Sequence, residues 1–149
     1  MQRIILGLAV AFLAIAGFIV YSSVASSDVK MYSSPTCNCC DLWANHLEAE
    51  GLSVTTEHTS NMAGVKREHG IPYDMGSCHT AIVDGYIIEG HVPVEQIKRL
   101  LEERPDIRGL AVPGMPIGSP GMEGPNPEAY DVIAFGGADG SYVFDHIEP

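Results

Sequence analysis

The chain has 149 residues, which suits one domain with one modest core. Its 8 Lys and Arg stand against 19 Asp and Glu, a formal net charge of -11. A body this acidic repels nucleic acid and anionic lipid, so both are excluded as partners. It attracts cations loosely, a weak bias that scattered surface carboxylates give to any acidic protein.

The first 25 residues read as an address, not as fold. Arg3 and the α-amino group form a thin positive start, and residues 4–20 are an uninterrupted apolar run. Ser23-Val24-Ala25 then offers small residues at the two positions a signal peptidase requires. The expectation is a signal peptide. The alternative is an uncleaved N-terminal membrane anchor, because the run is near the lower limit for spanning a bilayer. Either way residues 26–149 form a domain outside the cytoplasm. Idle thiols there become disulfides, so clustered cysteines must be structural, redox-active or metal-protected.

In chain order, residues 29–32 predict a short strand, broken by Ser33-Ser34-Pro35-Thr36. Cys37-Asn38-Cys39-Cys40 follows and opens a helix over 41–50, with Leu42, Trp43 and Leu47 as its apolar stripe and Gly51 as its stop. Residues 52–56 predict a strand, and Ser60 caps a short helix over 61–69. After an irregular stretch ending at Ser77-Cys78, residues 79–83 and 86–89 form a hairpin around Asp84-Gly85. Pro93 starts a helix to 103 that buries Val94, Ile97, Leu100 and Leu101. Residues 109–127 are rich in Gly and Pro and predict a long loop carrying Met115 and Met122. A second hairpin, 131–135 with 141–147, ends the chain. The order is β-α-β-α-β-β-α, an α/β thioredoxin-like arrangement with a C-terminal β-hairpin extension.

All four cysteines fall in two short segments. Cys37 and Cys40 form a C-x-x-C pair at a helix N-terminus, where free N–H groups and the positive dipole end favour thiolate. Cys39 adds a third sulfur to the same turn. Cys78 precedes the third strand, where a thioredoxin-like fold normally sets a cis-proline against the C-x-x-C turn. Cys37, Cys40 and Cys78, with His79, are therefore expected to converge. Two structural disulfides are the plainer reading, which three cysteines in one turn disfavour because near neighbours pair poorly. Thiolate and thioether are soft donors that select Cu(I), and imidazole accepts copper and zinc alike. The candidate metal ligands are Cys37, Cys39, Cys40, Cys78, His79, His91, Met115 and Met122. The methionines could equally be gap-filling loop residues, and the histidines packed ones. His46 reads as a packing residue; His58, His69 and His146 read as surface residues.

Tyr32 to Cys40, Ser77-Cys78-His79-Thr80-Ala81, Tyr86 to Pro93, and Gly109 to Pro116 together resemble the CopG family, formerly a domain of unknown function. The four motifs stand in the right order and cover most of residues 29–147. Asn38 stands where that family usually has Gly. The resemblance implies an exported, periplasmic, thioredoxin-like protein of bacterial copper resistance, with copper ions and copper-handling proteins as its partners. It does not say which residues ligate copper. Packed thiolates can bridge metals, so more than one Cu(I) per chain is open. Two other functions remain: a thiol–disulfide oxidoreductase using Cys37 as nucleophile and Cys40 as resolving thiol, and a structural Cys3His zinc site. Against the first stand the surplus cysteines. Against the second stand the methionines, for which zinc has no use. A redox role for bound copper stays open, and no catalytic residue is assigned.

Overall fold

A computed structural model describes residues 28–149. The segment read as signal peptide or anchor, and its boundary at residue 25, lie outside the described residues. Among the described residues no helix is long and apolar enough to cross a membrane.

Strand β1 (Asp28–Ser33) alternates exposed and buried residues, as a half-buried strand must. It leads through a tight turn into α1 (Asn38–Ala49). Cys40, Trp43, Ala44 and Leu47 form the buried stripe of α1, at i, i+3, i+4 and i+7. Leu42, expected in that stripe, is 45% exposed because its neighbour Trp43 takes the inward direction. Strand β2 (Ser53–His58) pairs parallel with β1 at the sheet edge. Helix α2 (Met62–Glu68) is capped by Asn61, whose side chain accepts from the Gly64 N–H at 3.1 Å. That corrects the cap expected at Ser60. A single 3-10 turn, Tyr73–Met75, precedes β3 (His79–Val83) and β4 (Tyr86–Glu89), which pair as the expected hairpin. Helix α3 (Val94–Glu103) buries Val94, Gln96, Ile97 and Leu100.

The sheet has seven strands in the order β2-β1-β3-β4-β5-β6-β7. Its first four strands, with β1 parallel to β2 and antiparallel to β3, are the thioredoxin order. The expected loop over 109–127 begins instead with a strand, β5 (Gly109–Ala111), which pairs parallel with β4. β6 (Tyr130–Gly137) joins β5, and β7 (Gly140–Ile147) closes the far edge. The C-terminal hairpin therefore extends the main sheet. The larger apolar core runs from Met31, Trp43 and Leu47 through Ile88, Ile97 and Leu100 to Val132 and Phe144, and a smaller cluster is formed by Ile87, Ala111 and Phe135.

Candidate metal centre

The carboxyl end of β1, the first turn of α1, the start of β3 and the end of β4 meet at one point. The last three bring the donors. Cys37 is the N-cap of α1, and Cys39 and Cys40 lie in its first turn. Pairing of Ser33 with His79 brings β3 alongside, so that Cys78 faces this turn. The sulfurs of Cys37, Cys39, Cys40 and Cys78 all lie within 4.8 Å of one another. Cys78, His79 and His91 form a second group of the same compactness. Cys78 belongs to both and joins them.

Cys37 and Cys40 are joined as a disulfide, whereas Cys39 and Cys78 are free thiols. Cys39 Sγ lies 3.6 Å from Cys37 Sγ. Burial pushes the Cys78 thiol up to about 12, and the neighbouring Cys39 sulfur adds to this. Metal-free Cys78 is thus a thiol at neutral pH, and a soft metal must displace its proton.

The two imidazoles are prepared differently. His91 is fully buried, and its Nδ1 lies 2.7 Å from the Pro120 carbonyl oxygen. A carbonyl only accepts, so Nδ1 carries the hydrogen. Nε2 is left as a lone pair 2.9 Å from Cys78 Sγ. Backbone carbonyls orient metal-ligating histidines in this way. His79 is also fully buried, with Nδ1 3.4 Å from Cys78 Sγ and its ring 4.3 Å from that of Trp43. Its Nε2 is buried without a hydrogen bond among the described residues. Burial first, then the nearby His91 and Lys66, holds His79 well below the usual imidazole range. Burial also lowers His91, offset in part by the Pro120 carbonyl and Glu123. Both rings are therefore neutral near pH 7, the form that binds metal.

The segment after β5 lies over this centre. Its turn is closed by the Met122 N–H on the Ser119 carbonyl at 2.8 Å. Gly121, at φ +82, sits against the backbone of α1, where a Cβ would come 2.7 Å from the Cys39 oxygen and 2.8 Å from the Trp43 nitrogen. Met122 is half-buried beside this contact, and Met115 is 50% exposed next to Gly114, whose carbonyl accepts from the Ser77 hydroxyl. The six Cys and His candidates are brought together, and the methionines ride on the covering segment. His46 is half-buried, with Nε2 unbonded among the described residues. His58 and His146 are exposed, but His69 is half-buried against the Tyr32 ring, 5.9 Å between centroids. Sequence reasoning missed the Pro120 carbonyl and Glu89, which is fully buried beneath Ser77. The only signal for Glu89 was a charged residue closing an apolar strand.

An α/β domain that sets a cluster of sulfur and imidazole side chains at the opening of its first helix carries the donor set that suits a soft metal. Residues 75–122 match the family described as "Protein of unknown function, DUF411". Two solved structures titled "Copper resistance protein copG", Form 2 and Form 1, are each 43% identical to the chain, with TM-scores of 0.77 and 0.76. Each comparison covers 82% of this chain and 98% of the solved one. No curated protein matches. The chain belongs to the CopG family.

Proposed function

We propose that this protein binds copper as Cu(I), and sequesters it or hands it on in copper resistance. The observation that supports this best is the pair of donor groups sharing Cys78, one of sulfurs and one of sulfur with two neutral imidazoles. Soft sulfur donors favour Cu(I) over harder cations, and two adjoining groups leave room for more than one ion. The solved relatives are named for copper resistance. Cys39, Cys78, His79 and His91 are available as they stand. Cys37 and Cys40 join them once their disulfide is reduced. Met115 and Met122 would supply thioether from the covering segment.

The domain works outside the cytoplasm on this reading, in the periplasm or held to the inner membrane by an uncleaved N-terminal segment. An N-terminus near Ser26 on exported protein is expected; intact chain recovered from the cytoplasm would rule this out. A copper-handling protein is the expected partner.

The metal is tested by purifying the domain reduced and without oxygen, offering Cu(I) and Zn(II) together, and analysing what is retained. Copper retained in excess over zinc is expected. Preferential zinc retention would favour the Cys3His alternative. One observation favours the oxidoreductase alternative: the C-x-x-C pair is already a disulfide.

A further inference from the structure

Beneath Cys78 lies a polar network that the metal site does not use. Glu89 is fully buried on β4. Its Oε1 accepts from the Ser77 backbone N–H at 2.6 Å and from the Lys66 ammonium, and its Oε2 accepts from the Thr80 hydroxyl at 2.6 Å. Lys66 also donates to the Thr80 hydroxyl at 3.2 Å. Lys66 comes from α2, a helix with no fully buried residue, so this ion pair helps to hold α2 on the sheet.

A buried carboxylate is costly unless every lone pair it turns inward finds a donor. Here the donors are an ammonium, a hydroxyl and one backbone amide, and that amide belongs to the residue before Cys78. The same residue is held from two further sides. Ser77 Oγ donates to the Gly114 carbonyl. Gly90, at φ +73, lets the Ser77 side chain come close: a Cβ there would stand 2.5 Å from Ser77 Oγ and 2.6 Å from its Cβ. This loop is where a cis-proline stands in a thioredoxin-like fold, yet the described residues contain no cis peptide bond.

We propose that Glu89, with Lys66 as its counter-charge, is a positioning residue that holds Cys78 at the metal centre by anchoring the Ser77 amide. The carboxylate does from β4 what a fixed proline does from within the loop. Its role is that of an acceptor, and the charge is secondary. A glutamine, whose amide oxygen still accepts from Ser77, serves in its place provided Lys66 is neutralised with it. A leucine cannot.

The test compares Lys66→Met/Glu89→Gln with Lys66→Met/Glu89→Leu, so that neither variant buries an unpaired charge. The first readout needs no metal. With the Cys37–Cys40 disulfide intact, Cys39 and Cys78 are the free thiols, and the rate of Cys78 alkylation is taken relative to Cys39. The second is Cu(I) affinity, and this arm alone rests on the copper reading above. The Gln variant is expected to stay within about threefold of wild type in both. The Leu variant is expected to gain about tenfold in relative Cys78 alkylation and to lose about tenfold or more in Cu(I) affinity, the scale of losing an orienting partner. A folded Leu variant with wild-type alkylation ratio overturns the proposal, and so does a Gln variant as impaired as the Leu one. Should the Leu variant not fold, hydrogen exchange at the Ser77 amide of the wild type decides. Protection of about a hundredfold or more is expected there, and free exchange overturns the anchor. Wild-type protein that binds no Cu(I) while the alkylation arm behaves as stated would sink the copper reading and leave the positioning role standing.

Discussion

Cys78 is the residue on which the two donor groups hinge, lying 2.9 Å from His91 Nε2 and 3.4 Å from His79 Nδ1. Cys78→Ala should therefore weaken Cu(I) binding by at least about tenfold, or roughly 1.4 kcal/mol, because losing a ligand costs more than losing an orienting partner. Competition against a chromophoric Cu(I) chelator measures this, and unchanged affinity would remove Cys78 from the site. His79 gives a pH dependence in the metal-free protein. Its folded pKa is depressed below the usual 6.5, so the unfolded chain binds the extra proton. Stability from this group is complete above about pH 6.5 and falls as the pH drops, by up to about 1.4 kcal/mol per pH unit. Chemical denaturation of wild type and His79→Gln at pH 7 and pH 5 checks it. A wild type that loses no more stability than the variant would contradict the sign. The single Trp43, whose ring is tilted against that of His79 at 4.3 Å, should report occupancy through its fluorescence. The types of donor that meet here were legible in the sequence because softness belongs to the side chain. The hydrogen on His91 Nδ1 was not legible, because it depends on a carbonyl 29 residues away.

At the scale of elements, periodicity located the helices and the first four strands, and the C-x-x-C at the opening of α1 needed only local reading. β5 escaped because Gly-Leu-Ala has no alternation to show and is buried at every position. Its strand character comes from β4 and β6 on either side. With it, the segment after Ala111 leaves the sheet beside β4 and crosses the metal centre. Gly121 makes that crossing close. Gly121→Ala adds a Cβ against α1 backbone that cannot give, at a φ that side chains rarely adopt. The cost should be about 1–3 kcal/mol. The Pro120 carbonyl should also move away from His91. Thermal unfolding and Cu(I) affinity should therefore both decline in this variant. A loss of stability with copper affinity intact would show that the segment covers the centre without ordering it.

For the molecule as a whole, the question is whether the joined Cys37 and Cys40 act on other proteins or wait for metal. A dithiol enzyme needs only these two sulfurs, with Cys37 open to a protein substrate. Cys37 is half-buried and Cys40 fully buried, and Gly121 packs on the turn between them. The cluster also contains two free thiols beside the disulfide, which would intercept a mixed disulfide with a foreign chain. In a copper site the disulfide has a different consequence. Reduction by an external dithiol breaks one S–S bond, takes up two electrons and two protons, and turns two inert sulfurs into ligands. The reduced protein should therefore bind more Cu(I), or bind it more tightly, than the oxidised protein. Binding energy is then spread over every ligand, so Cys37→Ser, Cys78→Ser and Met115→Ala should each weaken Cu(I) binding, with Met115 giving the smallest loss because it is half exposed. Disulfide reduction of an insulin-type substrate should be poor in the wild type, and bound Cu(I) should shield the thiols from alkylation. The copper reading fails if the protein reduces disulfides strongly, if that activity is lost only in Cys37→Ser, and if Cu(I) affinity is indifferent to Cys78.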